Sequence, residues 1–220
     1  MTQPSLREAA AVEFGATAFL LIAVVGSGIA AERLSGGNTG LALLANAIAT
    51  GTALFVLILT SGPISGAHMN PAVTLSALLA GSMSRNTAAA YVAAQILGAI
   101  AGTWVAHLMF DLPIIQASTH MRAGIGQLTS EVVATGGLLL VIAGASRHTT
   151  PVLAAAVAAY ITGAYWFTAS TSFANPAVTI ARMLTDTFAG IRPVDAPLFI
   201  LAQLATALAV SLLLRQRATP

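Results

Sequence analysis

Ser65-Gly-Ala-His-Met-Asn-Pro-Ala-Val-Thr74 decides how this chain is read, because its last five residues return as Asn175-Pro-Ala-Val-Thr179. Asn followed by Pro is a strong helix start. The Asn side chain caps the first free N–H groups, and Pro fits the first turn. Each copy leads into an apolar stub of about ten residues, too short to cross ~30 Å of hydrocarbon at about 1.5 Å per residue. Each copy also follows a longer apolar run. A capped stub behind a full span is the pattern of a re-entrant half-helix.

Charge is absent around both copies. No Asp, Glu, Lys or Arg occurs from Leu34 to Ser84, a run of 51 residues, nor from His148 to Ala181. The other charge-free stretches are Asn86–Phe110, Val132–Ser146 and Ala196–Leu214. Six spans fit, at about 9–31, 41–61, 86–109, 127–146, 151–169 and 197–215. Ala, Leu and Gly dominate them, as expected where helices approach closely in lipid. The first apolar run, Phe14 to Ala31, reads as a retained helix rather than a cleaved leader.

The composition agrees. Of 220 residues, 7% are charged and 57% hydrophobic, where a soluble domain has about 25% charged. Disorder is excluded by that hydrophobicity. Lysine is absent, so the net charge of +2 rests on nine scattered arginines that form no basic patch for nucleic acid. Cysteine is absent too, which removes disulfides, thiolate chemistry and Cys-based metal sites. His107, His120 and His148 have no metal-ligand spacing and read as span-end or loop residues. No nucleophile–base pair or phosphate loop can be assembled. The expectation is no enzyme, no cofactor and no metal.

The two halves repeat. Glu13-Phe-Gly-Ala-Thr17 matches Glu131-Val-Val-Ala-Thr135 at an offset of 118. Asn70 and Asn175 differ by 105, and Ala94-Gln95 and Ala202-Gln203 by 108. Each half, about 9–109 and 127–215, reads span, span, half-helix, span. Three crossings per half invert the second half in the membrane. The expected fold is therefore an all-α membrane protein, one domain over 1–220, with six transmembrane helices plus two re-entrant half-helices. The half-helices enter from opposite faces, and Asn70 and Asn175 meet near the centre. An even number of spans puts both termini on one side. With the N-terminus inside, Arg7, Arg85, Arg147, Arg215 and Arg217 lie inside, and Arg33, Arg122, Arg182 and Arg192 outside. That is a weak positive-inside signal.

Two Asn-Pro-Ala motifs at this spacing, with paired glutamates and Ala-Gln pairs, resemble the aquaporin and aquaglyceroporin family over essentially the whole chain. The resemblance implies a usually tetrameric protein with one pore per subunit, passing water, glycerol or other small neutral solutes passively. The homotetramer is expected in the inner membrane of a bacterium, with both termini cytoplasmic. It places Asn70, Pro71, Ala72, Asn175, Pro176 and Ala177 at the pore centre. Gly66, Ala67, His68, Ser170, Thr171 and Phe173 line the pore as non-helical backbone, tolerable at membrane depth where it faces water. Buried carboxylates such as Glu13 and Glu131 relay protons or hold structure. The resemblance gives them the second role, bonding the re-entrant loops, with Gln95 and Gln203 satisfying loop backbone nearby.

The family's narrowest point lies outward of the asparagines and is dominated by an arginine three residues after the second Asn. Here that position is Val178. Counting from the motifs gives the other three filter positions as Thr50, Gly163 and Ser172. None is large or charged, so the opening is expected to be wide. The second motif also resembles, more loosely, channels from bacterial arsenic-resistance contexts that lack the arginine. That implies neutral metalloid acids or methylated arsenicals as permeants. Arg182 lies one turn beyond Val178. It either anchors oxygenated solutes at the outer mouth or pairs with Asp186 at i,i+4, and the reading favours the pair. Trp104, Trp166, Tyr160 and Tyr165 read equally as interface anchors or core. Asn46 is expected to have a local partner and Asn86 to cap a helix. Three rivals remain: an ordinary water or glycerol facilitator, an ion-coupled transporter using Glu13 or Glu131, and a closed structural relative.

Overall fold

A computed structural model describes residues 4–216; Met1–Gln3 and Arg217, one of the inside charges counted above, lie outside the described residues. The chain forms eight helices among those residues. Six are long and apolar enough to cross a membrane: α1 (Leu6–Leu34), α2 (Thr39–Ser65), α4 (Arg85–Met109), α5 (Ile125–Ala145), α6 (Thr150–Phe167) and α8 (Ala196–Gln216). Two are short and start at the repeated prolines, α3 (Pro71–Leu79) and α7 (Pro176–Arg182). The element order is span, span, half-helix, span, given twice.

Local chemistry sets the ends. The Ser5 hydroxyl accepts from Glu8 N while the Glu8 carboxylate accepts from Ser5 N, a reciprocal cap on α1. Asn38 caps α2, and Gly66, at φ 86°, ends it in the left-handed region where glycine carries no Cβ penalty. The cap of α4 is Ser84, whose hydroxyl accepts from Thr87 N. Asn86 is therefore not the expected cap; it lies inside the first turn, because the helix starts two residues earlier than a cap at Asn86 would set.

Small residues set the packing. Gly98 and Gly102, one turn apart on α4, lie against α1 so closely that an added Cβ would collide with the carbonyls of Phe14 and Ala18. Asn46 ties α2 to α1 through Nδ2, which donates to Val24 O at 2.9 Å and to Ser27 Oγ at 2.8 Å. The outward faces are apolar, with Phe19, Leu97, Leu140, Leu201 and Leu213 exposed, as lipid contact requires.

Candidate functional site

The glutamates hold the chain leading into each half-helix. Glu13 on α1 is fully buried. It accepts from Ser65 Oγ (2.7 Å), His68 N (2.9 Å), Met69 N (2.7 Å) and Gln95 Nε2 (2.8 Å). Glu131 on α5 accepts from Phe173 N (3.0 Å), Ala174 N (2.9 Å) and Gln203 Nε2 (2.5 Å). A buried carboxylate carries a desolvation cost of several kcal/mol, and only a full set of charge-assisted bonds offsets it. The glutamines differ from expectation. They bond the carboxylates and the half-helix hydroxyls of Thr74 (3.0 Å) and Thr179 (2.9 Å), not the loop backbone.

These anchors also orient the backbone. In a trans peptide the carbonyl points opposite to the N–H. With His68 N and Met69 N aimed at Glu13, the carbonyls of Ala67 and His68 face away from it. The same holds for Ser172 and Phe173 relative to Glu131. The loops match in conformation as well. Ala67 and Ser172 have φ 51° and 52°, and Met69 and Ala174 have φ 49° and 47°. Left-handed non-glycine residues cost about 1–2 kcal/mol each, a strain the carboxylate bonds hold in place.

At the centre the asparagines do two things. Their Oδ1 atoms cap the half-helices, Asn70 accepting from Ala72 N and Asn175 from Ala177 N and Val178 N. Their Nδ2 groups cross over, Asn70 to Ala174 O at 2.7 Å and Asn175 to Met69 O at 2.8 Å. Each amide has two N–H donors, so one remains for another acceptor.

A cavity of about 480 Å³ runs past both asparagines. On the α3 side it is lined by residues such as Gly66, Ala67, His68, Val73 and Ser82. On the α7 side it meets Thr50, Tyr165, Ser172, Phe173, Val178 and Arg182. Three spans contribute a stripe at helical spacing, Leu20 and Val24 on α1, Leu54 and Ile58 on α2, Leu138 and Ile142 on α5, and α6 adds a fourth. His68 shares a 3.0 Å hydrogen bond with Thr74 Oγ1 and packs edge-on against Tyr91.

Several expected positions lie elsewhere. The α6 stripe is Leu153, Val157, Ile161 and Tyr165, so Gly163, two residues from the last pair, falls on the opposite face. A side chain at 163 would meet the Phe167 ring at 3.5 Å instead of the cavity. Tyr165 takes the place expected of Gly163, with its hydroxyl 3.1 Å from Thr50 Oγ1. Ser170 and Thr171 lie behind the lining and receive Arg122 Nη1 at 3.3 and 3.5 Å. Pro71, Ala72, Pro176 and Ala177 form the buried first turns of the half-helices, behind their asparagines. Arg182 does not pair with Asp186. Asp186 accepts from Thr119 N at 2.7 Å and Thr119 Oγ1 at 2.9 Å, while Arg182 turns inward.

Arg182 is 1% exposed, its Nε donates to Ala189 O, and its Cζ sits 3.5 Å from the centroid of the Phe173 ring. Arg122 lies over the same ring at 5.1 Å and binds Gly190 O through Nε at 2.8 Å. Burial pulls the Arg122 guanidinium down to about 10, still a cation at neutral pH. Sequence reasoning missed Arg122 and Tyr165. The four-residue stripe on α6 was a usable signal for Tyr165; Arg122 had none, since its partners are mostly backbone carbonyls and all lie 48 or more residues away.

Six spans, two half-helices meeting at paired asparagines and a cavity passing between them define a membrane channel for small solutes and water. The comparisons with known proteins show its family. The sequence signature described as "Major intrinsic protein" matches residues 1–168, and the chain belongs to that family. It is 53% identical over 199 residues to the aquaglyceroporin AqpS of Rhizobium meliloti (strain 1021), covering 90% of this chain and 85% of that protein. It is 34% identical over 150 residues to the probable aquaporin TIP1-2 of Oryza sativa subsp. japonica, covering 64% of this chain and 58% of that one. The fold matches the X-ray structure of the aquaglyceroporin from Plasmodium falciparum with a TM-score of 0.75, at 24% identity and 94% coverage of each chain.

Proposed function

We propose that this protein is a passive channel of the aquaglyceroporin type, conducting water, glycerol-like polyols and larger neutral solutes, with metalloid acids and methylated arsenicals among them. The observation that carries the reading is Val178 on the cavity wall, one turn from the centre, beside Thr50 and Ser172. Val offers no hydrogen bond and leaves space a guanidinium would fill. The two repeats, about 9–109 and 127–215, make one pore per subunit of a homotetramer. Its place is a bacterial inner membrane, with both termini cytoplasmic. Ion coupling through the glutamates is disfavoured, because all four carboxylate oxygens already accept at least one hydrogen bond.

Val178→Arg tests it. The substitution narrows the α7 side and should cut permeability to bulky or methylated solutes at least about tenfold more than water permeability, a difference of about 1.4 kcal/mol in barrier. Swelling assays in proteoliposomes at matched protein density read both rates. An unchanged ratio would remove position 178 from the constriction.

A further inference from the structure

The α7 side of the cavity holds two polar side chains with capacity left over. Arg182 is 1% exposed, lines the cavity and uses Nε on Ala189 O. Among the described residues no carboxylate pairs with it, and no acceptor engages its terminal nitrogens. Ser172 is 4% exposed and lines the same cavity, and its Oγ has no partner. Buried donors left open are expensive unless something else meets them. Phe173 lies against the guanidinium face, so the group is held rather than free to swing away.

We propose that Arg182 and Ser172 form a binding site for the hydroxyl oxygens of a neutral solute, and that Arg182 is the specificity-determining cation of the pathway. This rests on the channel reading above. Val178 supplies no donor in the first turn of α7; Arg182 supplies them one turn later on the same face, four residues on. The Thr50–Tyr165 hydroxyl pair adds polar atoms to the same end. A neutral polyol suits the site better than an oxyanion. An oxyanion paired with a desolvated guanidinium leaves slowly, whereas conduction needs weak binding that releases.

Two variants test the proposal in proteoliposomes, with water and glycerol permeability as readouts. Arg182→Met keeps much of the side-chain volume and removes the donors. It should lower glycerol permeability about fivefold while changing water permeability less than about twofold. Ser172→Ala removes only the unpartnered hydroxyl. Its fold is secure, because Ala67 adopts φ 51° at the equivalent place in the first loop. It should lower glycerol permeability about twofold to threefold and water permeability by a smaller factor, so that the glycerol-to-water ratio falls. If Arg182→Met folds, with an unchanged thermal midpoint, and keeps the wild-type glycerol-to-water ratio, Arg182 only pins the Ala189 carbonyl and the proposal fails. If Arg182→Met does not fold, an unchanged ratio in Ser172→Ala overturns the site. A wild-type protein that passes neither water nor glycerol would instead overturn the channel reading itself.

Discussion

Asn70 and Asn175 are tied to each other's loops, Nδ2 of the first donating to Ala174 O at 2.7 Å and Nδ2 of the second to Met69 O at 2.8 Å. The two halves are thereby locked where the cavity runs past both asparagines. Asn175→Asp keeps the capping oxygen for Ala177 N and replaces the crossing donor with an oxygen facing Met69 O. Glycerol permeability should fall at least about tenfold, by swelling assay, with an unfolding midpoint lowered by the equivalent of about 1–3 kcal/mol.

Glu131 carries the second loop through both oxygens. Gln at 131 turns one oxygen into an NH₂ group that meets a donor head-on, either Phe173 N–H or the pair Ala174 N–H and Gln203 Nε2. Stability in detergent should therefore fall in the order wild type, Glu131→Gln, Glu131→Ala. The first step should be about 1–3 kcal/mol and the second larger, because Ala leaves three donors unpaired. If Glu131→Gln abolished flux with no loss of stability, a protonation step at Glu131 would be the better account.

Gly163 and Tyr165 separate by phase on α6. Gly163→Ala puts a methyl toward Phe167, away from the cavity, and should leave the glycerol-to-water ratio unchanged. Tyr165→Phe removes the hydroxyl bonded to Thr50 and should shift that ratio by about twofold or more, at about 1 kcal/mol in stability. Paired swelling assays distinguish them; the reverse pattern would return Gly163 to the constriction.

Asp195 joins the loop before α8 to the rest of the protein. It accepts from Arg192 Nε and Nη2, each at 3.0 Å, and from Arg122 N at 2.8 Å. The Arg192 bonds, with the Arg122 backbone N–H, hold its carboxyl below the usual carboxylate range. A depressed pKa in the folded state means the contribution is present above the unfolded value, near ~3.9, and is lost as pH falls through the folded one. Thermal midpoints should drop below about pH 4 in the wild type, and Asp195→Asn should be less stable at pH 7 with a shallower acid decline.

What was legible in the sequence was local or periodic. Asn-Pro marked both half-helices because capping and the first-turn preference of Pro are short-range effects. The spans followed from charge gaps, and the Glu13 and Glu131 pairing from the repeat. Gly163 was misplaced because a count back from Asn175 ignores helix phase, which the stripe from Leu153 to Tyr165 sets. Arg182 was misread because a local i,i+4 partner was available, while the bond that removes Asp186 comes from Thr119, 67 residues away. Asn86 lost the cap to Ser84, a neighbour of equal capping quality.

The central claim is passive conduction of neutral solute through the cavity between the two half-helices. It is tested most directly by glycerol flux into proteoliposomes, measured by stopped-flow light scattering with and without an imposed proton gradient. The account predicts flux well above protein-free vesicles, linear in the glycerol gradient and unaffected by the proton gradient. Flux no higher than in protein-free vesicles, or flux that follows the proton gradient, would contradict it.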